Sequence, residues 1–106
     1  YTRMLAAKPG KRGGSLEAAI PGSGLTFSPS ATPVIGTKGR VLDHIGFEVR
    51  NLEAFTKELE TQGVKIERLV KTKMALVGDI TIAYITDPFG TYIEFSEGLD
   101  KVKPVQ

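Results

Sequence analysis

Lys38-Gly-Arg-Val-Leu-Asp-His-Ile-Gly-Phe-Glu-Val-Arg50 is the stretch around which the rest of the chain falls into place. It holds His44, the only histidine among 106 residues. The alternation predicts a strand over 41–49, because successive side chains of a strand point to opposite faces. One face would carry Val41, Asp43, Ile45, Phe47 and Val49, bulky enough to pack on a helix. The other would carry Leu42, His44, Gly46 and Glu48, a potential metal ligand beside a glycine that leaves room. A strand lining a cavity has this pattern.

Downstream, Asn51 is a good N-cap. Leu52, Phe55 and Leu59 recur at helical spacing through about Thr61, and Gly63 suits the position just past a helix end. A strand is expected over 64–70 and a loop at the charged Lys71-Thr72-Lys73. Two strands are expected over 74–77 and 80–86, with Gly78-Asp79 at their turn. Asp87-Pro88-Phe89-Gly90 has the residues of a type I turn, and 91–96 reads as a last strand. There Ile93 and Phe95 would face the core, and Tyr92, Glu94 and Ser96 the opposite side.

Upstream, Tyr1 to Lys8 has helix-forming composition, reads like the tail of a longer helix, and is stopped by Pro9-Gly10. Lys11 to Gly14 reads as a turn, and 15–20 and 24–28 as strands joined by Pro21-Gly22-Ser23. Residues 29–39, rich in Pro, Ser and Thr, read as a linker, and 100–106 as a polar, frayed tail. The chain also repeats itself. Pro21 to Ser28 aligns with Phe89 to Ser96, matching Gly22 with Gly90, Ser23 with Thr91, Phe27 with Phe95 and Ser28 with Ser96. Tyr1-Thr2-Arg3 and Leu5 align in the same order with Phe55-Thr56-Lys57 and Leu59. A duplicated βαβββ unit accounts for both matches. The first copy would then lack its opening strand.

Composition bounds the function classes. Apolar residues make up 41% and charged residues 25% of the chain, as in ordinary globular domains. The net charge of +2 comes without a dense basic tract, which argues against nucleic acid as a partner. The absence of cysteine removes disulfides, thiolate metal sites and a cysteine nucleophile, and fits a reducing cytoplasm. No apolar run approaches the roughly 20 residues of a membrane span.

His44 and Glu94 lie mid-strand, each on the side away from bulky neighbours. A carboxylate among apolar residues is costly unless paired or bound to a metal. Imidazole nitrogen with carboxylate oxygen suits Zn, Fe, Mn, Ni or Co. Taken singly, a strand histidine is more often a hydrogen-bonded core or surface residue, and a strand glutamate more often faces solvent. Tyr92 and Ser96 flank Glu94 and could touch a substrate, or simply line the site. Glu48 shares a face with His44 and could serve as an acid/base or substrate-binding group, or be a solvated strand end.

Three segments carry a resemblance: Lys38 to Val49, Asn51-Leu-Glu-Ala-Phe55, and Asp87-Pro-Phe-Gly-Thr-Tyr-Ile-Glu-Phe-Ser-Glu-Gly-Leu99. Together they resemble the vicinal oxygen chelate superfamily, which includes glyoxalase I, extradiol dioxygenases, and fosfomycin- and bleomycin-resistance proteins. The match is good over Arg40 to Leu99 and loose over Tyr1 to Ser28. The resemblance implies an α+β fold of paired βαβββ modules around one cavity. Residues 1–28 would be the remainder of the first module and 40–99 the second. It implies that His44 and Glu94 are metal ligands, with Glu94 also catalytic, and that a second histidine on the first module's opening strand completes the set. The function so implied is a divalent-metal enzyme, of dioxygenase or lyase/transferase type, acting on a small oxygenated substrate. In the repeat Glu94 corresponds to Thr26, a poor ligand, which favours a two-histidine, one-carboxylate set over a four-ligand isomerase site. A metal-free binder of the bleomycin-resistance type is the alternative, and an inactive half-module a third. The open edge left by the absent strand predicts a homodimer or strand exchange between copies.

Overall fold

The computed structural model describes residues 1–101, and the end of the expected tail, 102–106, lies outside them. The chain divides into two compact units, one of Tyr1–Pro33 and one from Val34 onward.

The first unit is a three-stranded antiparallel sheet, β1 (Lys8–Arg12), β2 (Ser15–Ile20) and β3 (Ser23–Phe27), in the order β1-β2-β3. The helix expected over Tyr1 to Lys8 is absent. A single helical turn, Leu5 N–H to Tyr1 O at 2.9 Å, ends at Ala6 with φ +50°. One such turn fixes several dihedrals for one bond and does not propagate without a longer helix behind it. Residues 8–12, expected to hold a helix stop and a turn, instead form an exposed edge strand. Pro9 is tolerated there because an edge strand has one side that needs no donor.

The second unit contains β4 (His44–Glu48), α1 (Leu52–Thr61), β5 (Arg68–Met74), β6 (Gly78–Thr86) and β7 (Tyr92–Glu97), followed by a 3₁₀ turn at Leu99–Lys101. The sheet order is β4-β7-β6-β5, with β4 parallel to β7 and the other pairs antiparallel. The last strand made is therefore the one beside β4.

Helix α1 forms where the local signals say. The Asn51 side chain accepts from Ala54 N–H at 3.2 Å. At the other end Gly63, with φ +81°, donates to Glu60 O, and Val64 donates to Leu59 O, both at 3.0 Å. This pair of bonds satisfies carbonyls that a helix end otherwise leaves open. The helix packs Leu52, Thr56 and Leu59 inward and sets the Phe55 ring 4.8 Å from that of Phe95. Leu52, Leu59, Ile85, Ile93 and Phe95 are fully enclosed. Each contributes roughly 1.5–3 kcal/mol by leaving water. Ile45, Phe47, Val49 and Phe55, also expected in the core, are half-buried, while Ile80, Ala83 and Ile85 join it from β6.

Several boundaries differ from expectation: the strand expected over 64–70 spans Arg68–Met74, and no separate strand forms over 74–77. Lys71-Thr72-Lys73 lies inside β5, and the turn falls at 75–77 instead of Gly78-Asp79, which open β6. Strand β5 is an edge and mostly exposed, so no apolar alternation is demanded of it, and lysines on an edge discourage unwanted pairing. The strand expected from Val41 begins only at His44. Its neighbour β7 starts at Tyr92, the partner of His44, so 41–43 have no strand to pair with. Thr37 stands in for the missing rung: its hydroxyl donates to Asp43 O at 2.7 Å and accepts from Tyr92 N–H at 2.8 Å. The stretch read as a linker is thus tied down at Thr37, whose N–H also bonds Gly90 O at 2.9 Å. Gly90 has φ +86°, and a Cβ there would stand 2.9 Å from Gly36 Cα, so this close approach requires glycine.

Candidate functional site

Register builds the site. Gly46 pairs with Glu94 and His44 with Tyr92 across the β4–β7 ladder, and Tyr84 pairs with Glu94 across β6–β7. Directly paired residues share a face, so His44, Glu94, Tyr84 and Tyr92 converge on the side away from α1. His44 Nε2 lies 3.3 Å from Glu94 Oε2. The two residues singled out as ligands are brought together. The space beside His44 is present: a methyl added to Gly46 would sit 4.0 Å from Glu94 Oε1, an ordinary contact that alanine would also make.

Two tyrosine rings flank the imidazole. Its plane stands nearly perpendicular to those of Tyr84 and Tyr92, at centroid distances of 6.0 and 6.3 Å. The two tyrosines stack on each other at 5.1 Å, and the Lys38 ammonium lies 4.6 Å from the Tyr92 ring centroid. The Tyr84 hydroxyl donates to Glu94 Oε2 at 2.8 Å. Burial, and then the adjacent Glu94 carboxylate, push the Tyr84 pKa up to about 12, so the phenol keeps its proton across the ordinary pH range. Asp43 Oδ1 lies 2.8 Å from His44 Nδ1, and Asp43 Oδ2 accepts from Gly39 N–H. The Gly39 amide and then His44 hold the Asp43 carboxyl below its ordinary value.

Tyr92 borders Glu94, as expected. Ser96 and Glu48 lie one rung further and bind each other: the Ser96 hydroxyl donates to Glu48 Oε2 at 2.9 Å, and Gly98 N–H donates to Glu48 Oε1 at 2.6 Å. Asp43, Tyr84 and Lys38 were not picked out by sequence reasoning. Alternation put Asp43 on the opposite face from His44, but alternation holds only within a strand, and β4 begins after Asp43. Tyr84 becomes visible only through the β6–β7 register.

The imidazole nitrogen and the carboxylate are the donors that first-row divalent ions accept. Among the described residues, no three His, Cys, Asp or Glu side chains cluster to hold an ion. The pair fits a metal in kind and spacing, and is a partial set in number.

The family model for the Glyoxalase/Bleomycin resistance protein/Dioxygenase superfamily matches residues 3–95. The chain belongs to this superfamily. Solved structures agree in fold. A protein from the mobile metagenome of V. pseudocholerae is 27% identical, with TM-score 0.67, covering 92% of this chain and 79% of its own. The fosfomycin resistance protein FosX from Listeria monocytogenes is 15% identical, with TM-score 0.70, covering 94% and 80%. A lactoylglutathione lyase from Agrobacterium tumefaciens is 17% identical, with TM-score 0.63, covering 92% and 80%. No curated protein matches the chain. The α+β architecture expected from the resemblance is that of these structures, which include both a fosfomycin resistance protein and a lactoylglutathione lyase. No helix among the described residues is long and apolar enough to cross a membrane.

Proposed function

We propose that this superfamily member is a divalent-metal-dependent enzyme, with His44 and Glu94 as two of its ligands, acting on a small oxygenated substrate. The observation that carries the reading is the 3.3 Å approach of His44 Nε2 to Glu94 Oε2 on one sheet face. A bound Zn, Fe, Mn, Ni or Co ion would supply Lewis-acid polarisation of substrate oxygens or, as iron, dioxygen chemistry. The chain's own residues do the rest. The Tyr84 hydroxyl donates its proton to Glu94 Oε2, oxygen to oxygen 2.8 Å, and limits how that carboxylate turns. The Tyr84 and Tyr92 rings, stacked on each other at 5.1 Å, form one wall of the site beside Glu94. Ser96 and Glu48, one rung along, are the polar groups that a longer substrate would meet.

In this proposal a third ligand comes from outside the described residues, and a two-histidine, one-carboxylate set leaves positions for two substrate oxygens. Thr26, the counterpart of Glu94 in the repeat, offers only a neutral hydroxyl, so Thr26→Ala should leave metal affinity nearly unchanged. The outer edges of β3 and β4 carry no strand among the described residues, which supports self-association as a homodimer or by strand exchange. The proposal includes a cytoplasmic location, supported by a cysteine-free sequence that fits a reducing compartment.

Calorimetric titration of divalent ions into metal-stripped protein tests the central claim. One ion per site should bind, His44→Ala should abolish uptake, and Glu94→Gln should weaken it at least tenfold. Unchanged affinity in His44→Ala would overturn the metal assignment and favour a metal-free binding protein.

A further inference from the structure

His44 has a carboxylate at each end of its ring. Asp43 Oδ1 is 2.8 Å from Nδ1, and Glu94 Oε2 is 3.3 Å from Nε2. A neutral imidazole has one proton and must give it to one end or the other. If the proton sits on Nε2, it is donated to Glu94, and the nitrogen that faces Glu94 has no lone pair left for an ion. If it sits on Nδ1, Nε2 is bare.

We infer that Asp43 is a positioning residue that draws the imidazole proton to Nδ1 and so prevents Glu94 from capping the ligand nitrogen. The geometry of the loop supports this. The Asp43 carboxylate is fixed from behind by Gly39 N–H on its second oxygen, and its backbone carbonyl by the Thr37 hydroxyl at 2.7 Å. Arg40 N–H closes the same loop on Thr37 O at 3.0 Å. The acceptor is therefore held in place before the histidine needs it, and it is nearer to the ring than Glu94 is. The Tyr84 and Tyr92 rings flank the imidazole edge-on at 6.0 and 6.3 Å. Outer partners of this kind set ligand tautomer and typically change metal affinity by roughly 10–100-fold when removed.

The affinity consequence rests on the metal reading proposed above, whereas the tautomer does not. The experiment separates them. Because His44 is the only histidine in the chain, ¹⁵N spectra of the imidazole in metal-free protein contain one ring and need no assignment. At a pH where the ring is neutral, the wild type should be protonated at Nδ1. Asp43→Ala should shift the population toward the Nε2–H form. Asp43→Asn, which keeps the shape but can turn its amide to donate to Nδ1, should shift it the same way and serves if the alanine variant does not fold. Zn²⁺ titrated into the same samples should bind about ten- to a hundredfold more weakly to both variants. A wild-type ring protonated at Nε2, or a tautomer ratio unmoved by both substitutions, overturns the inference. So does a shifted ratio with undiminished Zn²⁺ affinity. A wild type that is Nδ1-protonated but takes up no Zn²⁺ supports the orienting role and refutes the metal reading instead.

Discussion

Tyr84 shows what one hydroxyl can report. Its phenol is partly buried and donates to Glu94, and both effects favour the protonated form, raising its pKa to about 12 from 10.0. A group whose folded pKa lies above its unfolded value stabilises the fold fully below the unfolded pKa, and loses that contribution as pH rises through the folded one. In metal-free protein, absorbance titration should therefore show a tyrosinate step near pH 12 that Tyr84→Phe removes. Stability should decline from about pH 10 upward in the wild type and less so in the variant. A titration complete by pH 11 would show that Tyr84 is not held in solution in the partly buried, Glu94-bonded position described. None of this was readable from the local sequence, because Tyr84 meets Glu94 through strand register. His44 and Glu94 were readable, because each alternates with apolar neighbours that face away, although His44 opens its strand and does not stand within it.

Elements whose signals are local were legible, and those decided by a neighbour were not. Helix α1 begins and ends as its capping residues dictate. Strand β4 starts three residues late because pairing, not alternation, sets its limit, and β5 swallowed a charge run because an edge asks little of its side chains. The helix start invites a test. Asn51 has φ +49°, a left-handed conformation that costs alanine more than asparagine or glycine, and its side chain also caps Ala54. Asn51→Ala should lose about 1–2 kcal/mol in denaturant unfolding, and Asn51→Gly only a few tenths. Equal losses would mean that the conformation contributes nothing. The Glu97 carboxylate also receives Leu52 N–H at 2.9 Å and Asn51 N–H at 3.2 Å, an anion at the positive helix end that no local signal announced.

At the scale of the whole molecule the internal repeat has a packing counterpart. The repeat matches Tyr1 with Phe55 and Phe27 with Phe95. The Tyr1 ring lies 5.3 Å from Phe27 in one unit, and the Phe55 ring 4.8 Å from Phe95 in the other. Phe95 is fully enclosed, so Phe95→Ala should cost about 3–5 kcal/mol and unfold the second unit at ordinary temperature, as near-ultraviolet circular dichroism would record. Phe27→Ala, at a half-exposed position, should cost less. The placement of β7 between β4 and β6 has a further consequence, one for synthesis. A ribosome makes β4 before β7, its one sheet partner among the described residues, with α1, β5 and β6 coming between. Throughout the interval the stripe of Ile45 and Phe47 has no strand to lie against, so the nascent chain must travel with it exposed and is open to aggregation and chaperone capture. Nascent chains arrested before Tyr92 should be digested readily by added protease. Chains released past Lys101 should resist it, the change coming abruptly with the final strand.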